Sequence, residues 1–535
     1  MNLSVGTSRR YARPDALTLE IVLSPLRCLS TLALSVLLGA CASSQDIARP
    51  AVTHPFDGPR ITFTRPESDA LYGQAYRMAL DNVLRINQVD ADRAHQQSGL
   101  LTGSPARMVR AGAGYEAAWT RDASINSWNA LNLLAPGLAR NTLFAVVDRS
   151  DGGYIVRQDN QQWDQAIWVV AAWHHYLATG DRAFLAVAFD AAERTLATHR
   201  AKAFDPASGL FLGPSVINDG ISGYPQSVSD ATESKGSFVG DYPASARIAA
   251  LSTNAIHYEA YASAARMARA LGDGHADALQ AQANALKAAI DKHFWNATTG
   301  RYRYLHAPGI ELETADSQEG LGLSFTILFG LADGPRSDAI IRRATVAPWG
   351  VEDVSPAFAR YSDERPGRHN NIMWPMTQGF WGSALAMRRD TEGFGTLLRQ
   401  QAELPIRSGG FWEIYNARSG AVDGGWQTGH HWPAEKDQTW SATAYLRLVD
   451  SGLFGLHAEE DGLRVEPLLP ADIGPATLEG IRYRAATLTV ALRGHGAHIA
   501  SCRFDGGRCP TAIAPDTRGD HRIEIDLSET GSIKP

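Results

Sequence analysis

Residues 409–449 read GGFWEIYNARSGAVDGGWQTGHHWPAEKDQTWSATAYLRLV. A helical pattern over 391–403 stops before this stretch, and a glycine-rich run without any apolar period follows. A new helix opens at Gln438-Thr439-Trp440-Ser441. Within the loop Glu413 stands among Phe411, Trp412, Tyr415, Trp426 and Trp432. Aromatic faces stack on sugar rings, and a carboxylate among them can do acid or base work.

The same arrangement of helix, long loop and helix recurs along the chain. An apolar period of three to four predicts helices over 67–87, 122–134, 137–147, 164–178, 181–199, 252–271, 275–293, 319–331, 335–344, 376–389, 391–403 and 438–450. Some neighbours are joined tightly, through Pro136, Gly180-Asp181 or Gly272-Asp273-Gly274. Others are separated by long loops rich in Gly, Pro, Asn and Asp, at 200–250, 295–318, 346–374 and 405–437, and loops of that length in a compact domain usually hold function. Short links alternating with long loops predict six helical hairpins whose long loops gather at one end. Beyond Leu453, segments such as Leu488-Thr489-Val490-Ala491-Leu492 and Arg522-Ile523-Glu524-Ile525-Asp526 carry β-formers between turns, which predicts a small C-terminal β domain at 453–535.

The chain has 535 residues, 44% of them hydrophobic and 20% charged, enough for a large core and a second, smaller domain. A net charge of -7 with both signs interspersed offers no basic patch, so nucleic acid is not an expected partner. Arg9, Arg10, Arg13 and Arg27 precede the apolar run Leu29–Leu38, which is too short to span a bilayer. With Leu38-Gly39-Ala40-Cys41 after it, residues 1–43 read as a lipoprotein-type signal segment with Cys41 as the lipidated residue. Residues 44–65, with Pro50, Pro55 and Pro59, read as a tether leading into the fold at 66–452. The expected location is the periplasm of a Gram-negative-type bacterium, on an outer-membrane lipid anchor, where a disulfide between Cys502 and Cys509 is plausible. No Cys/His cluster has zinc-ligand spacing, and neither a metal nor a cofactor is expected.

Four segments set polar residues beside aromatics. In Trp119-Thr120-Arg121-Asp122, Arg121 and Asp122 either grip two vicinal hydroxyls or form a structural pair with Asp122 as a helix cap. In Gln161-Gln162-Trp163-Asp164, Asp164 either caps a helix or reaches a sugar hydroxyl. The loop 213–242 holds Asp219, Asp230, Glu233 and Asp241. Val216, Ile217 and Tyr224 surround Asp219, and a carboxylate held against apolar surface has the raised pKa a general acid needs. The fourth segment is His369-Asn370-Asn371-Ile372-Met373-Trp374-Pro375, where Trp374 either stacks on sugar or fills core.

These residues taken together resemble the six-hairpin (α/α)6 glycosidases, the group of glucoamylases, trehalases, processing α-glucosidases and mannosylglycerate hydrolases. The motifs carrying the resemblance are Trp-Thr-Arg-Asp at 119–122, Trp-Pro at 374–375, Glu413-x-Tyr415-Asn416 with Ser419-Gly420, and Thr439-Trp440-Ser441-Ala442. The resemblance spans about residues 66–452 and implies a mainly α fold, an (α/α)6 barrel with a C-terminal β domain. It implies Glu413 as the base that activates water, Arg121 and Asp122 around the terminal sugar, and Trp374 and Trp440 as pocket wall. The acid motif matches less well, leaving Asp219 as first choice, with Glu233 and Asp241 behind it. Trp119, Trp163, Asp164, Tyr224, Trp412, Tyr415 and Trp426 complete the expected sugar-binding set. The expected activity is inverting exo-hydrolysis of an α-glucosidic bond in an oligosaccharide. The alternatives are a non-catalytic glycan-binding lipoprotein, a rhamnosidase or epimerase on the same barrel, or an isomerase or lyase on that barrel in which a His or Tyr faces the sugar, with His257, His369 and His430 as candidates.

Overall fold

The structure is a computed structural model that describes residues 58–157, 161–229, 236–307, 312 and 317–529. Cys41, the signal segment, Asp230 and Glu233 lie outside the described residues.

Helical runs form at all of the expected positions. They are α1 (66–86), α2 (120–134), α3 (Pro136–Phe144), α4 (Gln162–Thr179), α5 (Arg182–Ala203), α6 (Leu251–Leu271), α7 (Ala276–Phe294), α8 (Gly320–Leu328), α9 (Gly334–Arg343), α10 (Pro375–Met387), α11 (Thr391–Ser408) and α12 (439–453). The tight links turn the chain by local chemistry. At the end of α4, Gly180 adopts φ 69°, which a side chain resists, and its N–H returns to Tyr176 O. Asp181 then caps α5 by accepting from Phe184 N–H at 2.9 Å.

The even-numbered helices touch in sequence, α2 to α4, α6, α8, α10 and α12, and α12 returns to α2, while the odd-numbered helices pack outside them. The molecule is therefore an (α/α)6 barrel. An inner helix has no wet face, and α10 is buried almost along its whole length. Gly379 lets α10 approach α12: a Cβ there would lie 2.9 Å from Ala444 Cβ. Trp128, 5.0 Å from Phe380 and 6.4 Å from Phe325 between ring centroids, helps fill the barrel's middle.

Each inner helix starts where an outer helix and a long loop have carried the chain back, so the loops before Thr120, Gln162, Leu251, Gly320, Pro375 and Thr439 share one end of the barrel. The strand-rich C-terminal region lies at the other end, where Arg484 N–H donates to Ala178 O near the last turn of α4.

That region is a six-stranded sheet. Its strands are β1 (Arg60–Phe63), β2 (Ala476–Tyr483), β3 (Ala485–Gly494), β4 (His498–Phe504), β5 (Gly507–Arg508) and β6 (Arg518–Ser528), in the order β1-β2-β3-β6-β4-β5, with only β3 and β6 parallel. Ile61, Leu478, Val490 and Ile523 pair across four strands into one buried row. The expected disulfide joins Cys502 to Cys509. The sequence reading made residues 44–65 a tether and entry segment; residues 44–57 lie outside the described residues, and within the entry part Arg60–Phe63 alternates exposed and buried and forms an edge strand of the C-terminal sheet, which the sequence reading did not expect. Among the described residues no helix is long and apolar enough to cross a membrane.

Candidate active site

Glu413 is held at the loop end of the barrel by a segment pinned from behind. Trp412 and Tyr415 pack into a small apolar cluster with Ala347, Met373, Leu404 and Ala417. Tyr415 exchanges both backbone hydrogen bonds with Met373, at 2.9 and 3.0 Å, and its hydroxyl accepts from Trp412 N–H at 3.2 Å. These anchors leave Glu413 buried and facing inward. Its Oε2 accepts from Arg368 Nη2 at 2.7 Å, and Tyr115 donates to Oε1 at 3.5 Å. Burial pushes the Glu413 carboxyl above its usual range against the pull of Arg368, and the charge of Asp219 adds to the rise. Arg368 is held by the carbonyls of Gly424 and Pro433.

Asp219 comes from the long loop before α6. Tyr224 braces that loop by donating to Asn218 O at 2.6 Å and accepting from Ser215 N–H at 2.8 Å. Asn218 Nδ2 donates to Tyr304. Glu319, at the start of α8, accepts from Ser215 Oγ at 2.6 Å and from Ser252 N–H at 3.0 Å. The Asp219 side chain keeps 33% exposure. Its Oδ2 accepts from Arg121 Nη2 at 3.0 Å and Gln161 Nε2 at 3.5 Å, and its Oδ1 lies 3.3 Å from His369 Nε2.

Here the structure corrects the sequence argument. Apolar neighbours predict a raised carboxyl, but although burial does push Asp219 up, Arg121 and His369 outweigh it and hold the group well below the usual carboxylate range. The apolar neighbours of Asp219 brace the loop, and two cations that are distant in sequence set the charge.

A wall of two tryptophans joins the carboxylates. Trp374 and Trp440 stand edge to face at 5.8 Å. Arg121 lies 5.4 Å over Trp440 and Arg368 5.6 Å over Trp374, while His369 stacks on Trp374 at 4.9 Å. The adjacent residues Arg368 and His369 thus serve opposite carboxylates, Glu413 and Asp219 respectively. Trp119, 45% exposed, stands two residues before Arg121 with φ 50°, a strained value for a bulky residue.

The structure brings Asp219, Glu413, Arg121, Asp122, Asp164, Trp374, Trp440 and His369 together. Asp122 is buried and accepts from Gln438 Nε2 at 3.3 Å; Asp164 lies 4.0 Å from Arg121 Nε. Arg121 is not a free fork, since Nη1 donates to Val216 O at 2.6 Å and to Gln161, and Nη2 is spent on Asp219. Tyr224, Trp412 and Tyr415 brace loops, Trp163 is buried, and Trp426 lies under Arg365 at 4.2 Å in a loop hairpin. Asp241 is solvent-exposed in its own short turn. His257 is buried in α6, stacked on Phe211 at 4.0 Å, and His430 is exposed beside Trp432. The sequence reading missed Tyr115, Gln161, Arg368 and Asp353 as site residues. Gln161 opens the quoted Gln161-Gln162-Trp163-Asp164 segment but gave no signal of its own beside Asp164, Arg368 directly precedes the quoted His369 segment, and Tyr115 and Asp353 lie in no quoted segment.

Comparison with known proteins agrees with this architecture. Residues 86–441 match the family described as mannosylglycerate hydrolase MGH1-like glycoside hydrolase domain. No curated protein matches the chain. Among solved structures, a GH63 mannosylglycerate hydrolase from Thermus thermophilus in complex with glucose is similar with TM-score 0.52 and 15% identity, covering 70% of this chain and 100% of that one. A sialidase is similar with TM-score 0.62 and 15% identity over 81% of this chain and 38% of its own. A GH78 rhamnosidase of Bacillus sp. GL1 gives TM-score 0.51 and 15% identity over 88% of this chain and 44% of its own. The chain thus spans less than half of the sialidase and the rhamnosidase and the whole of the mannosylglycerate hydrolase, and at this identity the likeness is one of fold.

Proposed function

We propose, since the chain belongs to the mannosylglycerate hydrolase MGH1-like glycoside hydrolase family, that it removes a terminal α-linked glucosyl unit with inversion, Asp219 acting as general acid and Glu413 as general base. The observation that carries this reading is the shared tryptophan wall. Two carboxylates from separate loops flank it, each with its own cation and with no hydrogen bond between them among the described residues.

In the proposed step Asp219 protonates the glycosidic oxygen as its bond to the anomeric carbon breaks, the electron pair going to that oxygen. Water attacks the anomeric carbon from the opposite face and gives a proton to Glu413. Inversion needs about 6.5–9.5 Å between the carboxyl groups to admit that water. Burial makes Glu413 a stronger base, and Arg368 favours its ionised form. A leaving group smaller than a sugar fits the same scheme: the Thermus thermophilus neighbour is named for mannosylglycerate and was solved with glucose, so α-glucosyl- and α-mannosyl-glycerate join the α-glucosides as candidate substrates.

The test is a panel of trehalose, kojibiose, nigerose, maltose, isomaltose and the two glycosylglycerates, with the first-formed anomer read by proton NMR. The sugar whose anomeric bond is cleaved should be released as the β-anomer, accompanied in the case of trehalose by an equal amount of α-glucose from the leaving half; release of the cleaved sugar as the α-anomer would overturn the water-mediated scheme. The basic, apolar start of the chain and Cys41 support the further proposal of an exported, lipid-anchored enzyme facing the periplasm. Metabolic labelling with a clickable fatty acid, lost in Cys41→Ser, tests it.

A further inference from the structure

Behind Asp219 lies a buried carboxylate that the proposed reaction does not use. Asp353 is fully buried, and neither of its side-chain oxygens has a hydrogen-bond partner among the described residues. Its backbone is fixed on both sides: Asp353 N–H donates to Ile372 O, and its carbonyl accepts from Gly320 N–H. The cationic group nearest to it is His369, whose Nδ1 lies 3.7 Å from Asp353 Oδ2 while Nε2 lies 3.3 Å from Asp219 Oδ1. His369 is buried, stacked on Trp374, and tied at its own N–H to Ser222 Oγ at 3.1 Å. The other charged groups around this line are Arg121, on the far oxygen of Asp219, and Glu319, whose carboxylate is taken up by Ser215 and Ser252.

A buried carboxylate without a donor is costly, and an imidazole between two carboxylates relieves that cost best as a cation. Burial works to discharge His369, but Asp219 and Asp353 outweigh it and raise its affinity for the proton.

We infer that Asp353 is a positioning residue which, through His369, keeps a proton stored beside Asp219. The inference rests on reading Asp219 as the acid, and it supplies what that reading lacks, a source of protons for a carboxylate that rests ionised. The Nε2 proton passes to Asp219 Oδ1, leaving neutral imidazole and a neutral carboxyl. Asp219 then gives the proton to the leaving oxygen as the glycosidic electron pair moves onto that oxygen, and His369 recovers a proton from water. Burial raises the proton affinity of Asp353 as well, against the pull of His369; in the proposed step the proton of this pair sits on His369, which is buried between the two carboxylates, and Asp353 stays anionic.

The test compares Asp353→Asn with wild type on the natural-type substrate turned over in the panel and on α-glucosyl fluoride, whose leaving group needs little acid assistance. Acid catalysis contributes about 10²–10⁴-fold. Partial loss of the proton store should therefore lower kcat on the sugar substrate by about 10- to 100-fold and leave the fluoride within about threefold. The alkaline limb of kcat should also move to lower pH, because His369 loses a group that holds its proton. Imidazole ¹⁵N NMR of the two proteins gives a readout that needs no substrate: the His369 titration moves to lower pH in the variant. Equal losses on both substrates, or an unmoved His369 titration, overturn the inference. Asp219→Asn separates it from the reading beneath: if that variant keeps sugar hydrolysis the acid assignment is wrong, whereas loss there with wild-type behaviour in Asp353→Asn defeats the proton store alone.

Discussion

Gly220 follows Asp219 directly, and its lack of a side chain is a matter of space. Its backbone, φ -96° and ψ 141°, suits any residue. A Cβ there, however, would lie 2.2 Å from Gln427 Oε1, 2.6 Å from His369 Cδ2 and 2.8 Å from His369 Nε2. Ordinary contacts need about 3.5 Å, so the loop must back away by about 1 Å. Neither neighbour yields freely. Gln427 Oε1 accepts from Ser222 Oγ at 2.9 Å, and His369 is stacked on Trp374. Gly220→Ala therefore displaces Asp219 from His369.

A misplacement of that size costs about 100-fold in rate, equivalent to about 2.7 kcal/mol in the barrier, and overpacking lowers stability by about 1–3 kcal/mol. The assay is kcat/KM on the sugar substrate with a calorimetric melt of the same preparation. The double variant Gly220→Ala/Gln427→Ala removes the nearest clash but leaves His369, and should recover only part of the activity. Wild-type kcat/KM at an unchanged melting temperature in Gly220→Ala would refute the argument that this loop must sit hard against His369.

Three further outcomes follow from the site and the sheet. Glu413→Gln should lower kcat by at least about 10²-fold on sugar substrates, and wild-type hydrolysis would remove it as the base. Arg368→Met removes the strongest charge favouring ionised Glu413; because the base must be ionised, the acidic limb of the pH–rate profile should move to higher pH, and a shift to lower pH contradicts the pairing. Breaking the Cys502–Cys509 disulfide, which closes a loop with a sequence separation of 7, should cost about 2–3 kcal/mol in a denaturant melt. Neither cysteine touches the cleft residues, so kcat should be unchanged.

The barrel was legible because its signal is local. Its helices show as apolar runs of helical length, and several are bounded by a cap or link that can be read from neighbours in the chain, as at Gly180-Asp181. Glu413 and Asp219 stood out as candidates for a different reason: each lies in a long loop among aromatic or apolar residues, and such loops usually hold function. What surrounds each carboxylate was not legible. Arg121 lies 98 residues from Asp219, and Arg368 lies 45 residues from Glu413. Charge depends on such distant partners, and one-dimensional neighbours misled the reading of Asp219. For the same reason Tyr224 and Tyr415 looked like sugar contacts, when their hydroxyls in fact close turns a few residues away. β1 was hidden because four residues of alternation mean little until the sheet edge they complete has been found.

That short strand has a consequence for how the chain matures. Ile61 and Phe63 must stay uncovered until Leu478 and Ala476 arrive, and Ser68 Oγ waits for Ile473 O, 405 residues later. Closing so long a loop costs chain entropy that no early contact repays, and it slows folding. The first strand among the described residues is thus among the last to find its partners, so a nascent chain carries an unpaired apolar edge for most of its length, the kind of edge on which chaperones act and aggregates grow.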